Sequence, residues 1–192
     1  VVMLIQEHKN FATEDDLAAI WAICVCNGPW RFGQKSNPDT IFPMWHQGYY
    51  NNDTNTYKDG VPLQVQKLAE RFLELCGDDY ILIRNMMSGN TFGQDGDIHK
   101  DWLNPGESLT GVIYLNRRWN DNWGGETLIY GDDGSVEISK FEAGKLVVFD
   151  GYNDHIGKGP QRCTGELRCI LAVQAVKRDA WKKHLDNMRK TS

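Results

Sequence analysis

The chain has 192 residues, 41% apolar and 24% charged, with a net charge of -5 at pH 7. That length holds one domain with a sizeable core, and a mean hydropathy of -0.52 without an apolar run of about twenty residues excludes a membrane-spanning helix. The acidic balance gives no general attraction for a phosphate backbone, so no nucleic acid is expected, and a peptide, a protein or a small molecule is the expected partner.

In chain order, Thr13 followed by Glu14, Asp15 and Asp16 reads as a capped helix start, and the spacing predicts a helix over 13–25. Residues 27–60 mix Gly, Pro, Asn and Asp with Trp30, Phe32, Phe42, Trp45, Tyr49 and Tyr50, the pattern of a long aromatic loop region and one wall of a cleft. Pro62 opens a second helix carrying Leu63, Val65, Leu68, Phe72 and Leu73, and Gly77 stops it. From Asp79 onward the pattern becomes short β-prone runs at 80–84, 109–115, 126–130, 136–139, 145–149 and 168–176, with a tight turn over 131–134. A last helix over 178–189 carries Trp181, Leu185 and Met188 at helical spacing.

This sequence of elements predicts a mainly β fold with flanking helices and an antiparallel barrel or jelly-roll core. One domain is expected over 1–192: a helical and aromatic-loop annex over 1–78, a core over 79–177 and a terminal helix over 178–192. Five cysteines, an odd number at no framework spacing, fit thiols in a reducing, cytoplasmic setting. Cys24 and Cys26 read as small core residues and not as a metal pair.

The chemistry concentrates in His99-Lys100-Asp101, His155 and Arg168. On an extended chain His99 and Asp101 share a face while Lys100 points away, so both reach one metal without distorting the backbone. His155 follows the apolar run 146–149. His8 and His184 lie in polar terminal surroundings and His46 in the aromatic loop. Two imidazoles and a carboxylate hold one face of a metal and leave other positions open, the donor set of non-haem Fe(II) oxygenases. A guanidinium beside such a site suits a dicarboxylate, because its fork meets a carboxylate with two parallel hydrogen bonds.

These residues carry a family resemblance. The stretch from Gly89 to Arg168 resembles the 2-oxoglutarate and Fe(II)-dependent oxygenases of the prolyl-hydroxylase-like group. Ile113-Tyr114-Leu115-Asn116, then Trp119, then Gly124-Gly125 is similar to the tyrosine-leucine-asparagine, tryptophan and paired-glycine pattern of the oxygen-sensing prolyl hydroxylases. The first 75 residues match only in being helical and aromatic.

The resemblance implies a double-stranded β-helix core and Fe(II) held by His99, Asp101 and His155. It implies 2-oxoglutarate and O2 as co-substrates, with Arg168 and Tyr114 on the distal carboxylate. Thr127 and Asn85 would line the co-substrate pocket, and L-ascorbic acid joins the expected associations. In the family the basic residue follows the distal histidine more closely than Arg168 follows His155. Arg162 is therefore the competitor, and Arg168 is preferred because it opens an apolar run while Arg162 sits in a turn.

The implied reaction is hydroxylation of an unactivated C–H bond with succinate and CO2 as co-products, and a prolyl residue of a peptide or protein is the first choice of substrate. Asp101 favours hydroxylation over halogenation, since halogenating relatives leave that ligand position to chloride. A free amino acid or other small metabolite stays open as substrate. So do a cupin-like isomerase, a zinc-dependent hydrolase and a non-catalytic binding module as other uses of such a barrel. Stereochemistry and oligomeric state are not encoded in these motifs.

Overall fold

The computed structural model describes residues 4–36, 39–51 and 54–191. Strand β1 (Ile5–His8) leads into helix α1 (Glu14–Ile20). The Thr13 hydroxyl accepts from the Asp16 amide and the Asp16 carboxylate accepts from the Thr13 amide, a reciprocal cap that satisfies two free donors and fixes where the helix begins. A π turn over Trp21–Val25 extends it, so 13–25 is helical but not α-helical throughout. Cys24 is buried in the core as expected, whereas Cys26 is exposed because that turn rotates it outward.

The segment read as an aromatic loop is partly strand: β2 (Arg31–Gln34), β3 (Met44–Gly48), β4 (Tyr50–Asn51) and β5 (Thr56–Tyr57). Gly, Asn and Asp masked the period of two. The aromatics are cross-strand pairs, Phe32 opposite Trp45 and Tyr50 opposite Tyr57, with ring centroids 5.0 and 5.3 Å apart.

Helix α2 (Leu63–Cys76) ends at Gly77, whose φ of 94° is the left-handed backbone that a helix stop uses. After it come β6 (Tyr80–Asn90), β7 (Ser108–Tyr114), β8 (Thr127–Tyr130), β9 (Val136–Ser139), β10 (Leu146–Asp150), β11 (Asp154–Gly157), β12 (Arg168–Lys177) and α3 (Arg178–Thr191). β6 runs on to Asn90 where the sequence predicted an end at Arg84, since its polar residues face a polar cavity. β1 and β11 were not expected, both being short and rich in polar residues.

Seven antiparallel strands form the larger sheet in the order β1-β10-β7-β12-β6-β3-β2, and β11-β8-β9 form the smaller one. This is the double-stranded β-helix. β1, β2 and β3 sit at the edges of the larger sheet, so the boundary expected near residue 78 does not divide that sheet. Among the described residues no helix is long and apolar enough to cross a membrane.

Strand alternation sorts the core into two layers. Ile113, Leu146, Val148, Leu171 and Val173 face outward and pack with Leu17, Ile20, Leu68 and Phe72 of the two N-terminal helices. Their neighbours Val112, Tyr114, Val147, Phe149 and Ile170 face inward toward Ile129 of the smaller sheet. Burying a side chain of this size contributes about 1.5–3 kcal/mol, so the helices hold the larger sheet from outside and leave its inner face to the site. Trp181 and Ala180 of α3 cap one end of that sheet against Ile83 and Val176.

Candidate active site

The inner face of β6 and β12 and the rim of the smaller sheet enclose a cavity of about 100 Å³. His99 and His155 enter it as partners in a single antiparallel bridge, each amide donating to the other's carbonyl at 3.1 and 3.0 Å. His99 is thus extended, as the face argument needs, without lying in a continuous strand. Lys100 points away, its ammonium on the Tyr152 carbonyl at 2.7 Å.

The His99 Nδ1 lies 2.8 Å from the Asp97 carbonyl, and the His155 Nδ1 3.0 Å from the Asn153 carbonyl. A carbonyl only accepts, so each Nδ1 carries the proton and each Nε2 keeps a lone pair. Burial disfavours the charged imidazole of His155 and lowers its pKa, against the pull of Asp101. Asp101 Oδ1 lies 3.7 Å from the His99 Nε2, and Oδ2 lies 3.6 Å from the His155 Nε2. Burial alone would raise the Asp101 pKa, yet the facing His155 imidazole, the Arg84 charge, the His99 imidazole and the Thr110 hydrogen bond outweigh it and lower it.

The ligand atoms of His99, Asp101 and His155 all lie within 4.8 Å of one another. In neutral rings the two Nε2 atoms and the carboxylate are all acceptors, a set that a cation among them satisfies. This donor set fits Fe(II), with three protein ligands and open positions opposite.

Arg168 shares the cavity and is 2% exposed. Its Nε donates to the Gly125 carbonyl at 2.7 Å, one terminal nitrogen to the Thr127 hydroxyl at 3.2 Å and the other to the Asn90 side-chain carbonyl at 3.4 Å. All three acceptors are neutral, and among the described residues none forms an ion pair with it. A buried guanidinium so placed is complementary to an anion in the cavity. Gly125, at φ 83°, also leaves room for its stem, since a Cβ there would lie 3.2 Å from Arg168 Cδ. Arg162 is exposed on a turn away from the cavity, so the structure places Arg168 at the site.

Thr127 lines the cavity as expected. Tyr114 stands behind it: its hydroxyl hydrogen-bonds Thr127 Oγ1 at 2.9 Å and the Ser139 carbonyl at 3.1 Å, and its ring centroid is 5.7 Å from the Arg168 guanidinium carbon. Asn85 is a correction. Arg84, Met86, Ser88 and Asn90 line the site, so alternation along β6 turns Asn85 away from it.

Sequence reasoning missed the residues that hold Asp101. The Thr110 hydroxyl donates to Oδ2 at 2.6 Å, Arg84 reaches Oδ1 at 3.4 Å, and the Gln174 amide donates to the Asp101 carbonyl at 3.0 Å. Gln174 stands opposite Arg84 on one side and Thr110 on the other, and Arg168 stands opposite Asn90. Stepping by two from Tyr114 and Arg168 would have found Thr110 and Gln174.

The model of the 2OG-Fe(II) oxygenase superfamily matches residues 85–174. No curated protein matches the chain in sequence. In fold, the chain is similar to a Pseudomonas putida prolyl-4-hydroxylase, with 18% identity over 91% of this chain and 93% of that one and a TM-score of 0.68. It is similar to a Trichoplax adhaerens prolyl hydroxylase solved with a hypoxia inducible factor peptide fragment, with 15% identity over 92% and 84% and a TM-score of 0.69. It is also similar to SnoN, a non-heme alpha-ketoglutarate-dependent epimerase from nogalamycin biosynthesis, with 13% identity over 91% and 76% and a TM-score of 0.64.

Proposed function

Since the chain belongs to the 2OG-Fe(II) oxygenase superfamily, we propose that it is a hydroxylase acting on a prolyl residue of a peptide or protein. The observation that carries the oxygenase reading is the pairing, in one cavity, of a His, Asp, His cluster with a buried guanidinium that no carboxylate neutralises. Fe(II), 2-oxoglutarate and O2 supply an oxidation in which one oxygen atom enters the substrate C–H bond, the other enters succinate, and CO2 leaves.

The chain's own residues hold and orient. His99, Asp101 and His155 would take the metal. Arg168 would meet the far carboxylate of 2-oxoglutarate in a fork, and Thr127 would add a hydroxyl beside it. Tyr114 acts through Thr127 as a positioning residue. Thr110 and Arg84 fix the carboxylate of Asp101, and carbonyls on both Nδ1 atoms fix the rings, the outer partners that set ligand orientation in metal sites. Met86, Val112, Ile170 and Ala172 form apolar walls that keep water from the reacting carbon.

The prolyl choice is supported by the sequence pattern over 113–125 and by the likeness in fold to two prolyl hydroxylases. The test is incubation with Fe(II), 2-oxoglutarate, O2 and proline-containing peptides. Succinate together with a peptide that gains one oxygen atom on proline is the expected result. Succinate with oxygen found only in a small metabolite would overturn the peptide reading and keep the oxygenase one.

A further inference from the structure

A second cavity, of about 600 Å³, opens beside the active site. Gln34, Arg84 and Met86 line both, so the two are continuous. The strand register explains why. Arg31 stands opposite His46, and His46 opposite Ser88, so one face of β2, β3 and β6 runs from the edge of the sheet to the metal site.

The lining is cationic. Arg31, Lys58 and Arg84 are set against one carboxylate, Asp59. Arg84 is engaged by Asp101. Among the described residues, Arg31 and Lys58 have no ion-pair partner. The Lys58 ammonium lies over the sheet at Gly48, where a Cβ would stand 3.2 Å from it.

We propose that this cleft binds an acidic stretch of the substrate, with Arg31 and Lys58 meeting its anionic side chains. This rests on the peptide-hydroxylase reading and adds the charge of the sequence around the modified residue.

The test is capture from a library of proline-centred peptides with randomised flanks, using metal-loaded protein with 2-oxoglutarate and no O2. Asp and Glu should be enriched about tenfold in the captured pool, the worth of one charged contact. Arg31→Gln with Lys58→Gln should remove that enrichment, and Arg31→Glu with Lys58→Glu should turn it toward Lys and Arg. Both positions are exposed, and an unchanged melting temperature checks that the fold persists. A phosphoserine library separates the sources: equal capture assigns the cleft to any anion, and capture of Asp and Glu alone assigns it to carboxylates. No acidic enrichment, or enrichment that survives both double variants, overturns the proposal. Succinate formation is assayed separately, so failure of the oxygenase reading is distinguishable.

Discussion

The two connected cavities treat their polar groups in opposite ways. In the inner one each functional side chain is locked by a neighbour: Asp101 by Thr110, the imidazoles by backbone carbonyls, Arg168 by Gly125, Thr127 and Asn90. In the outer one Arg31 and Lys58 lie in the open and form no ion pair among the described residues. A site that serves fixed, small co-substrates is rigid before they arrive, while one that grips a variable partner leaves its hydrogen bonds to be made on binding.

The largest effect is expected where the inner cavity loses a ligand. Asp101→Ala should cut succinate formation by more than about 100-fold and reduce bound iron by metal analysis, since loss of even an outer partner costs about 10–100-fold. Arg168→Met comes next. It should raise the half-saturating 2-oxoglutarate concentration about 100-fold, two charged hydrogen bonds' worth, while leaving iron bound. The same variant removes a buried charge that has no ion pair, so the melting temperature without co-substrate should hold or rise. A fall would show that Arg168 serves the fold more than the site.

Thr110→Val should weaken iron binding about tenfold, because Asp101 then loses the hydrogen bond that orients it. Unchanged affinity would place the rigidity of this end elsewhere.

The smallest effect concerns the backing of the inner cavity. The Glu7 carboxylate accepts from the Ser139 hydroxyl at 2.7 Å and from the Lys145 ammonium at 2.8 Å, behind the carbonyl that Tyr114 uses. Partial burial raises its pKa, but the bonds from Lys145 and Ser139 and the lysine charge prevail, so it lies below the ordinary value. A lowered folded-state pKa means stability that is full above the unfolded carboxylate pKa and is lost as pH falls through the folded one. Melting midpoints should therefore drop on acidification through and below the ordinary glutamate range, and Glu7→Gln should flatten that part of the curve.

The inner cavity was more legible in the sequence than the outer one. His99, Asp101 and His155 are chemically rare in combination, and Arg168 stands out in an apolar strand, so residue type alone located them. Thr110, Asn90 and Gln174 look like ordinary strand residues, and only strand pairing brings them to the site. Asn85 was misplaced because one step along a strand reverses the face. The outer cleft was hidden more deeply, since Gly33, Gly48 and the intervening turns broke the alternation that would have shown β2 and β3 as strands.

The central claim, that the inner cavity holds iron and 2-oxoglutarate together, is tested most directly by anaerobic titration of the Fe(II)-loaded protein with 2-oxoglutarate, watching for the weak visible absorption of the chelate. The account predicts a saturable band that Arg168→Met shifts to much higher co-substrate concentration and Asp101→Ala abolishes, followed by succinate when air is admitted. Folded, iron-loaded protein that gives neither band nor succinate would contradict it.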